Sequence, residues 1–333
     1  MIHRQPDAIR EALDRVRVNM PDGLSRRTPR LVLTGCGTSF HAAMYGAHIL
    51  QSVDGHVGVV EAIPAYDLVY GPMPRKATVL GVSHSGTTTT TNRALARAKR
   101  AGLHTMGICG LPGSPMERIV HEILVIGSAR DRSWANTMSY TAQLTSFAAL
   151  AAQRGRSSNL RGPAVRELPD LVRKALKTEG AIRRSAHRVA RSSRVTFLAT
   201  GWDDITALEA ALKIRETTGL VASGYHAEQF LHGPFLSLDR KDSIVFLLAR
   251  EDRARAGEIV RALARTGAAV TTVGEAAGAS IRLPPAPATL RPIVSVVPMQ
   301  FLAYYAALAR HENPDIMRSD NPRFRVGIEA LFH

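Results

Sequence analysis

The sequence contains two copies of one strand–turn–helix pattern, and this duplication constrains the fold more than any other feature. In each copy an apolar run ends in a turn of small residues, and the matching glycines, Gly37 and Gly201, lie 164 positions apart (201 minus 37). Repeats of this length are whole domains, because solenoid repeats extend to only about 50 residues. The paired apolar runs are Leu31–Thr34 with Val195–Ala199, and Val79–Val82 with Ile244–Leu248.

Apolar strands alternate with helical segments in both halves of the chain. Each strand is a continuous apolar run, which is typical of a strand buried on both faces of a parallel sheet. The sequence therefore predicts an α/β fold of two tandem domains, each a doubly wound, mostly parallel five-stranded sheet flanked by helices. The predicted bounds are an N-terminal helix in 1–28, a first domain in 29–160, a second in 161–310 and a tail in 311–333, with the boundary in the polar stretch Gln153–Pro163.

The pattern gives bounds for the elements of both halves. In the first half it predicts strands at Leu31–Thr34, Val57–Ala62, Thr78–Val82, His104–Cys109 and His121–Val125, and helices at Ser39–Val53, Ala65–Tyr70, Thr88–Ala101 and Met138–Gln153. In the second half apolar runs predict strands at 195–199, 244–249, 269–273 and 279–282. Helical spacing predicts helices at Arg166–Glu179, Ala181–Arg191, 204–218, 254–266 and 296–310. The tail from Glu312 is expected to pack as an extended arm with a terminal helical turn.

The net charge of +15 comes almost entirely from arginine, since only six of the 43 basic residues are lysine. Few aromatic residues lie between the arginines, whereas a protein that binds single-stranded nucleic acid needs aromatic stacking platforms. We therefore expect a solvated basic surface and no nucleic-acid partner. A positive field of this kind also attracts an anionic small substrate.

The sequence indicates neither a membrane segment nor a metal or cofactor site. The longest apolar run, Met299–Leu308, is half the roughly 20 residues that span a bilayer, and no secretion signal begins the chain. We therefore expect a cytoplasmic protein.

The spacing of the cysteines and histidines does not indicate a metal site. Cys36 and Cys109 lack metal-ligand spacing and are expected to be ordinary reduced thiols. His226 and His232 are too far apart to pair on one helix face. No metal or cofactor is predicted.

Two loops at predicted strand ends carry residues suited to anion binding. Ligands of open α/β sheets bind at the carboxyl ends of strands, where the strand order reverses. Gly35–Ser39 is one such loop, and Ser83–Thr91, with five consecutive threonines, is the other. β-Branched residues are poor helix formers, so five threonines are unexpected at the start of a helix. Binding of an anion by their hydroxyls and by the free N–H groups of the helix would explain them. An ordinary helix cap is the alternative, but the cluster favours phosphate.

The same loops do not match a nucleotide site. The first loop lacks the third glycine of a dinucleotide fingerprint, and the chain contains no GxxxxGK[ST] sequence.

The second half of the chain supplies titratable groups. Glu209, Lys213 and Glu216 are spaced i,i+4 and i,i+3, so they share one helix face, and a surface ladder of ion pairs is the alternative reading. His232 precedes Gly233-Pro234, a rigid turn that suits either a general acid–base group or a structural histidine.

Taken in order, these motifs resemble the tandem sugar isomerase (SIS) domain family. The match runs from about residue 28 to the C-terminus and is similar to the isomerase half of glucosamine-6-phosphate synthase. Because no glutaminase sequence precedes it, we expect a protein similar to the free-standing relatives. The matching motifs are Gly35-Cys36-Gly37-Thr38-Ser39, Ser83-x-Ser85-Gly86, Ala207-Leu208-Glu209-x-Ala211-Leu212-Lys213-x-x-Glu216, and His226-Ala227-Glu228 with His232-Gly233-Pro234.

The resemblance implies a role for each site residue. Glu216 would be the base that moves a proton between C1 and C2 of the sugar, with Lys213 as its electrostatic partner. His232, supplied by the partner subunit of a homodimer with shared active sites, would assist ring opening, and the chemistry needs no metal. The phosphate would be held by Ser83, Ser85, Thr88, Thr38 and Ser39, and the rest of the substrate pocket would include Cys36, Gly37, His84, Asn136 and Glu209.

Four features of the sequence depart from the family pattern. His84 stands where glutamine is usual, and Thr87 replaces an acidic residue. Asn136-Thr137-Met138 replaces the family's Ser-Thr-Lys. The synthase has a lysine after a Pro-Arg pair near its C-terminus, but no lysine follows Pro322-Arg323 here. The resemblance therefore does not imply amine transfer by the synthase's route.

The expected partner is a phosphorylated sugar or amino sugar, converted by enediol or enolamine proton transfer. The narrower expectation is deamination of glucosamine-6-phosphate to fructose-6-phosphate and ammonia. An aldose–ketose phosphosugar isomerase and a fructosamine-phosphate deglycase are the alternatives within the same chemistry. A regulator that binds a sugar phosphate without converting it is the alternative of another class.

Overall fold

The computed structural model describes residues 1–25, 28–53, 57–154, 160, 162–276 and 278–332. The chain divides into two compact units. Unit 1 contains the described residues of 3–131 and 136–169, and unit 2 contains those of 132–135 and 170–333. The predicted boundary stretch Gln153–Pro163 lies largely outside the described residues, so the predicted domain bounds stay a prediction.

Unit 1 is built on one parallel sheet. Its strands are β1 (Thr28–Thr34), β2 (Val57–Ala62), β3 (Thr78–Ser83), β4 (His104–Cys109) and β5 (Glu122–Val125). They lie in the order β2-β1-β3-β4-β5. All six residues of β3 are buried, as its continuous apolar sequence predicts. The strand order reverses between β1 and β3, where Leu33 pairs with Leu80 and Thr34 with Gly81.

The helices of unit 1 bury their apolar faces against this sheet and against one another. They are α1 (Gln5–Val18), α2 (Asp22–Ser25), α3 (Thr38–Val53), α4 (Ala65–Tyr70), α5 (Thr89–Arg100), α6 (Met138–Arg154) and α7 (Gly162–Arg166). Helix α6 is buried at every position from Met138 to Ala151 and packs against α1 and α3. A Cβ on Gly46 would lie 2.7 Å from the side chains of Leu33 and Phe147, so this glycine permits the close packing of α3.

Unit 2 repeats the same sheet. Its strands are β6 (Arg194–Ala199), β7 (Val221–His226), β8 (Ser243–Leu248), β9 (Ala269–Gly274) and β10 (Ile281–Arg282). They lie in the order β10-β9-β8-β6-β7, and every strand pair is parallel. The order reverses between β6 and β8, where Leu198 pairs with Phe246. The prediction of two doubly wound five-stranded sheets is confirmed.

The helices assigned after α7 are α8 (Leu168–Leu176), α9 (Glu179–Val189), α10 (Asp204–Thr218), α11 (Ala227–Leu231), α12 (Arg253–Ala264), α13 (Arg291–Ala309) and α14 (Pro322–Phe332). Among the described residues, one stretch, Ala288–Ala309, is long and apolar enough to cross a membrane. Its most apolar window is 78% buried inside the protein. Core helices meet the same criteria, so this stretch is weak evidence for a membrane span.

The strand β7 was absent from the sequence prediction. Its sequence is interrupted by Ser223 and Gly224, and most of its residues are only partly buried, because it is the edge strand and packs on fewer neighbours. A Cβ on Gly224 would lie 2.4 Å from the carbonyl oxygen of Ala207. Glycine at this position therefore lets α10 lie close to the edge of the sheet.

Proline explains two further differences from the predicted helices. The helix predicted for Arg166–Glu179 is divided, because Pro169 lies in the first turn of α8, the one place in a helix where proline fits without losing a hydrogen bond. The helix predicted from residue 296 begins earlier, at Arg291, with Pro292 in its first turn. In the tail, α14 replaces the predicted extended arm.

Candidate functional site

Glycine shapes the loop that follows β1. Gly37 has a left-handed φ of 53°, and a Cβ on Gly35 would lie 2.9 Å from the backbone of Ser39, so a side chain at either position would strain the turn. Thr38 is buried at the start of α3. The Ser39 hydroxyl accepts a hydrogen bond of 3.2 Å from the side-chain amide of Gln143, which orients it at the strand end.

Hydroxyl groups organise the loop that follows β3. Ser83 Oγ lies 2.9 Å from Thr88 Oγ1 and accepts the N–H of Gly86 at 3.1 Å. Ser85 Oγ lies 2.7 Å from Thr87 Oγ1 and accepts the N–H of Thr87 at 3.2 Å. Gly86 has a left-handed φ of 65°. The loop is therefore a tight turn that directs several hydroxyls to the carboxyl end of β3.

These two loops meet at the point where the strand order of unit 1 reverses. Cys36 Sγ in the first loop lies 3.5 Å from Thr91 Oγ1 at the start of α5. Ser85 and Thr87 are exposed. Thr88 is the N-cap residue of α5, yet within the described contacts its side chain makes no capping hydrogen bond. The first N–H groups of α5 and the neighbouring hydroxyls are thus oriented to bind an anion.

The other unit 1 residues predicted for the pocket lie along a hydrogen-bonded network. The His84 ring is largely buried, and its Nε2 accepts the N–H of Asp131 at 3.2 Å. The Asp131 carboxylate in turn accepts the N–H of Ser139 at 2.9 Å. Asn136 has a left-handed φ of 52°, and its Oδ1 lies 3.2 Å from Ser139 Oγ. This network orders the loop that leads into α6.

In unit 2, three charged residues of α10 form one cluster. Lys213 Nζ lies 3.3 Å from Glu209 Oε1 and 2.6 Å from Glu216 Oε2. The side chains of Glu209 and Lys213 are 0% and 1% exposed, whereas that of Glu216 is 18% exposed. The alternative of a surface ion-pair ladder is therefore wrong. Glu216 is the member of the cluster that solvent or a ligand can reach.

The cluster keeps Lys213 charged despite its burial. Desolvation alone would lower the pKa of Lys213, but Glu209 and then Glu216 outweigh it and raise the pKa above its ordinary value. Lys213 Nζ also donates a hydrogen bond to the carbonyl of Ala135, which belongs to unit 2. A fixed positive charge thus lies beside the reachable carboxylate.

The two histidines of the predicted His loop lie at opposite ends of α11. His226 caps its N-terminus, since Nδ1 accepts the N–H of Glu228 at 3.2 Å, and its Nε2 lies 3.9 Å from Asp204 Oδ2. His232 follows the helix and is exposed. The next residue, Gly233, has a φ of 135°, which only glycine adopts readily. The turn therefore presents the His232 ring to solvent.

The sequence reasoning missed an acidic cluster at the carboxyl ends of β6 and β8. Asp203 is buried, lies 2.5 Å from Arg291 Nε and accepts a 2.5 Å hydrogen bond from Ser295. Arg291 also pairs with Glu251 at 2.9 Å. Asp204 is adjacent, and burial chiefly raises its pKa to about 6. The signal in the sequence was the acidic pair Asp203-Asp204, at the helix start where unit 1 has a threonine.

Among the described residues, no group of three or more His, Cys, Asp or Glu side chains is arranged to hold a metal ion. Both cysteines are free thiols, with Cys36 exposed and Cys109 buried. The pKa of the Cys109 thiol is raised, chiefly by burial. Cys109 therefore lacks the accessible thiolate that a nucleophile needs.

Comparison with known families identifies both units. The sequence matches the SIS domain over residues 24–153 and again over residues 189–310. The chain belongs to the SIS domain family. The matched ranges contain both hydroxyl loops of unit 1 and the charged cluster of α10 in unit 2, so each part of the candidate site lies within an SIS match.

Relatives of this SIS protein include a longer enzyme. It is 30% identical to glutamine–fructose-6-phosphate aminotransferase (isomerizing) of Pyrococcus horikoshii, in a match that covers 96% of this chain and 56% of that protein. The chain thus spans little more than half the length of the curated relative.

Two solved structures share the fold. Glucosamine-6-phosphate deaminase from Thermotoga maritima has a TM-score of 0.77 at 21% identity and covers 95% of this chain and 96% of its own. Tagatose-6-phosphate ketose/aldose isomerase from Escherichia coli has a TM-score of 0.81 at 22% identity and covers 94% of both chains. At these identities the likeness concerns the fold.

Proposed function

We propose that this SIS protein is an enzyme that moves a proton between C1 and C2 of a phosphorylated sugar or amino sugar. The observation that carries the proposal is the cluster on α10, in which a reachable carboxylate, Glu216, is held beside a buried ammonium, Lys213. A general base needs a fixed position and access to the substrate proton. Glu216 has both, because Lys213 anchors one oxygen while part of the side chain stays exposed.

The hydroxyl loops of unit 1 support the phosphate part of the proposal. Ser83, Ser85 and Thr88, with Thr38 and Ser39 from the first loop, supply neutral donors at the reversal of the strand order. The N-terminus of α5 adds backbone N–H groups and the positive end of the helix dipole. A phosphate monoester offers the matching acceptor oxygens, and it fixes the rest of the sugar in one orientation.

The proposed reaction on glucosamine-6-phosphate has three steps. His232 of a second subunit assists opening of the pyranose ring to the C1 aldehyde. Glu216 then removes the C2 proton to form an enolamine and returns a proton to C1, which leaves an imine at C2. Water adds to this imine, ammonia leaves, and fructose-6-phosphate is the product. The ammonium of Lys213 stabilises the negative charge that develops at C1–C2.

Deamination is the narrower proposal, because it needs only proton transfer and water. The solved relative from Thermotoga maritima is named a glucosamine-6-phosphate deaminase, and the Pyrococcus horikoshii relative is named an aminotransferase that also isomerises. The synthase has a lysine after its Pro-Arg pair that works at the sugar carbonyl, whereas Pro322-Arg323 is followed here by Phe324-Arg325-Val326-Gly327, so the proposal does not include amine transfer by that route. Aldose–ketose isomerisation is the second candidate, favoured by the name of the Escherichia coli relative.

The proposed assembly is a homodimer in which His232 enters the partner's site. The exposed position of the His232 turn supports this arrangement, since the ring lies on the surface of its own subunit. Light scattering coupled to gel filtration gives the mass in solution, and a monomer at working concentration would contradict shared sites. A cytoplasmic location also stays a prediction.

The test of the reaction is hydrogen exchange in D2O, followed by NMR on glucosamine-6-phosphate, fructose-6-phosphate and glucose-6-phosphate, with ammonia assayed in parallel. We expect deuterium to enter at C1 or C2 of glucosamine-6-phosphate as ammonia is released. Exchange without ammonia would favour the isomerase. Binding of a sugar phosphate without any exchange would favour the non-catalytic regulator and overturn the enzyme proposal.

A further inference from the structure

His84 connects two separate loops of unit 1. It lies in the loop that follows β3 (Ser83–Thr91), which we call the phosphate loop because of its proposed role. Its partner Asp131 lies in the segment between β5 and α6. The His84 Nε2 accepts the backbone N–H of Asp131 at 3.2 Å. The same residue is also fixed through its backbone, because its carbonyl accepts the N–H of Gly110 at 2.8 Å.

The ring position is determined by glycine at the end of β4. A Cβ on Gly110 would lie 2.1 Å from His84 Nδ1, so no other residue leaves room for the imidazole at this place. The ring therefore packs against the Gly110 backbone, while the His84 carbonyl accepts the Gly110 N–H. The end of β4 thus contacts both the ring and the backbone of His84.

Asp131 passes this constraint to the start of α6. Its side chain is buried, and Oδ2 lies 2.9 Å from the Ser139 N–H and 3.0 Å from Ser139 Oγ. The carboxylate thus satisfies an N–H in the first turn of α6, which has no partner within the helix. Ser139 Oγ lies beside Asn136, a residue predicted for the substrate pocket. His84 and Asn136 are connected through this short chain of hydrogen bonds.

The hydrogen bond to Asp131 determines the chemical state of the ring. A backbone N–H donates to Nε2, so Nε2 carries a lone pair and the neutral ring has its proton on Nδ1. A protonated imidazole has N–H groups at both positions and accepts no hydrogen bond. Protonation of His84 therefore breaks the contact between the two loops.

Charged groups surround the ring on several sides. Arg130 and Asp131 face it from the loop before α6, and Arg4, Asp7 and Glu11 of the N-terminal segment line a cavity of about 70 Å³ next to it. Burial is the main cause that lowers the pKa of His84; Asp131 opposes this effect and Arg130 adds to it. The cavity is lined in part by these charged side chains and is large enough for water, so a proton from solvent can reach the ring.

We propose that His84 is a positioning residue whose neutral ring holds the loop before α6 against the phosphate loop, so that affinity for a sugar phosphate falls when this ring is protonated. The inference rests on the proposed function only in taking the two hydroxyl loops as the phosphate site. It differs from a role in general packing, because a packing role depends on the volume of the ring and not on its protonation state.

The matched variants are His84→Gln and His84→Ala. The glutamine Oε1 accepts the same N–H and does not titrate, whereas alanine removes the acceptor. At pH 8 we expect calorimetry with fructose-6-phosphate to give a Kd within about threefold of the wild type for His84→Gln and about tenfold weaker for His84→Ala, the range of one hydrogen bond.

The pH dependence separates the ring from the ligand. Because burial lowers the pKa of His84 below its ordinary value, the affinity is followed from pH 8 down to the pH at which NMR shows the ring protonated, and over that span the wild-type affinity should fall at least threefold more than that of His84→Gln. Protonation of the ligand's own phosphate affects both proteins equally and cancels in this comparison. Equal pH dependence, or wild-type affinity in His84→Ala, would overturn the inference.

Nitrogen NMR of the ligand-free protein tests the contact directly. We expect the His84 ring at pH 8 to carry its proton on Nδ1, and a proton on Nε2 would overturn the inference even if His84→Ala failed to fold. Absence of turnover in the wild type would overturn the proposed reaction but leave this inference standing, because it is tested through affinity and ring protonation. Failure of the wild type to bind fructose-6-phosphate would overturn the phosphate site and the inference with it.

Discussion

The two units have the same sheet but opposite chemistry at the same place in it. At the reversal of the strand order, unit 1 has glycines, hydroxyls and the uncapped start of α5. Unit 2 has the carboxylates Asp203, Asp204 and Glu251 at the corresponding strand ends, with Arg291 paired to two of them. The groups at the carboxyl ends of the unit 1 strands therefore attract an anion, whereas those at the carboxyl ends of the unit 2 strands repel it.

Two copies of one sheet have therefore taken different roles in our proposal. In unit 1 the loops at the carboxyl ends of the strands expose Ser85 and Thr87, where we propose that the phosphate binds. In unit 2 the carboxyl ends of the corresponding strands are closed by the buried pair of Asp203 and Arg291, and the side chains proposed to act on the sugar lie in the body of α10, beginning six residues further on at Glu209. We therefore expect changes in unit 1 to alter affinity and changes in unit 2 to alter rate or stability.

The largest effect is expected from Lys213→Met. The substitution leaves the fully buried Glu209 without its cation, and breaking a buried ion pair in this way costs about 3–5 kcal/mol. The free energy of unfolding, measured in urea, should fall by that amount. The double variant Lys213→Met with Glu209→Gln should recover much of the loss, and the exposed Lys177→Met is the control. A loss no greater than in this control would contradict the burial argument.

Glu216→Gln is expected to reduce kcat by at least about 100-fold, as for loss of a general base. The amide keeps the shape of the side chain, so the Kd for a sugar phosphate should stay within about threefold. Glu258→Gln on the exposed face of α12 is the control and should keep wild-type turnover in the D2O assay. Retained turnover in Glu216→Gln would remove this residue from the proposed role.

Ser85→Ala is expected to weaken binding of fructose-6-phosphate about tenfold, since a hydrogen bond to a charged group is worth about 1.5–3 kcal/mol. The value of kcat should change far less than the Kd. Unphosphorylated fructose is the control ligand, and its affinity should be the same in variant and wild type. If the wild type bound fructose and fructose-6-phosphate equally well, the phosphate assignment would be wrong.

The smallest effect is expected from Asp204→Asn. Burial raises the pKa of Asp204 from 3.8 to about 6, with His226 opposing and Asp203 and Asp252 adding to the shift. The folded state therefore keeps the Asp204 carboxyl protonated to a higher pH than the unfolded state does. The free energy of unfolding accordingly falls as the pH rises from about 4 to 6.

Asparagine does not ionise, so the variant should be more stable than the wild type at pH 8 and equal to it at pH 4. About a third of the Asp204 side chain is exposed, so screening limits the gain to the order of 1 kcal/mol. Urea titrations at both pH values measure it. A gain of the same size at pH 4 would show that ionisation is not the cause.

Most of the fold could be read from the sequence, because buried parallel strands are continuous apolar runs and α-helices keep their period. The bounds of β2, β4 and α4 were predicted to the residue. The exposed edge strand β7 was missed, since Ser223 and Gly224 break the apolar run. The early start of α13 was also missed: the helix was predicted from residue 296, whereas it begins at Arg291 with Pro292 in its first turn and is buried from Arg291 to Ala303.

The site could be predicted less completely, since the sequence does not reveal burial. The spacing of Glu209, Lys213 and Glu216 predicted one face of a helix, but only the packed structure distinguishes a buried cluster from a surface ladder. The pairing of Asp203 with Arg291 joins positions 88 residues apart, and no local pattern indicates it. The contact of His84 with Asp131 was hidden for the same reason.

The packing of α1 on α6 has a consequence for the order in which the protein folds during synthesis. Gln5 is fully buried and receives a hydrogen bond from Thr141, 136 residues later in the chain. A ribosome adds about 5–20 residues per second, so α1 waits on the order of 10 s for its partner. During this time its apolar residues, Ile9 and Val16 among them, are exposed to chaperones and proteases. Although α1 is made before the other helices of unit 1, it is thus among the last of them to find its place.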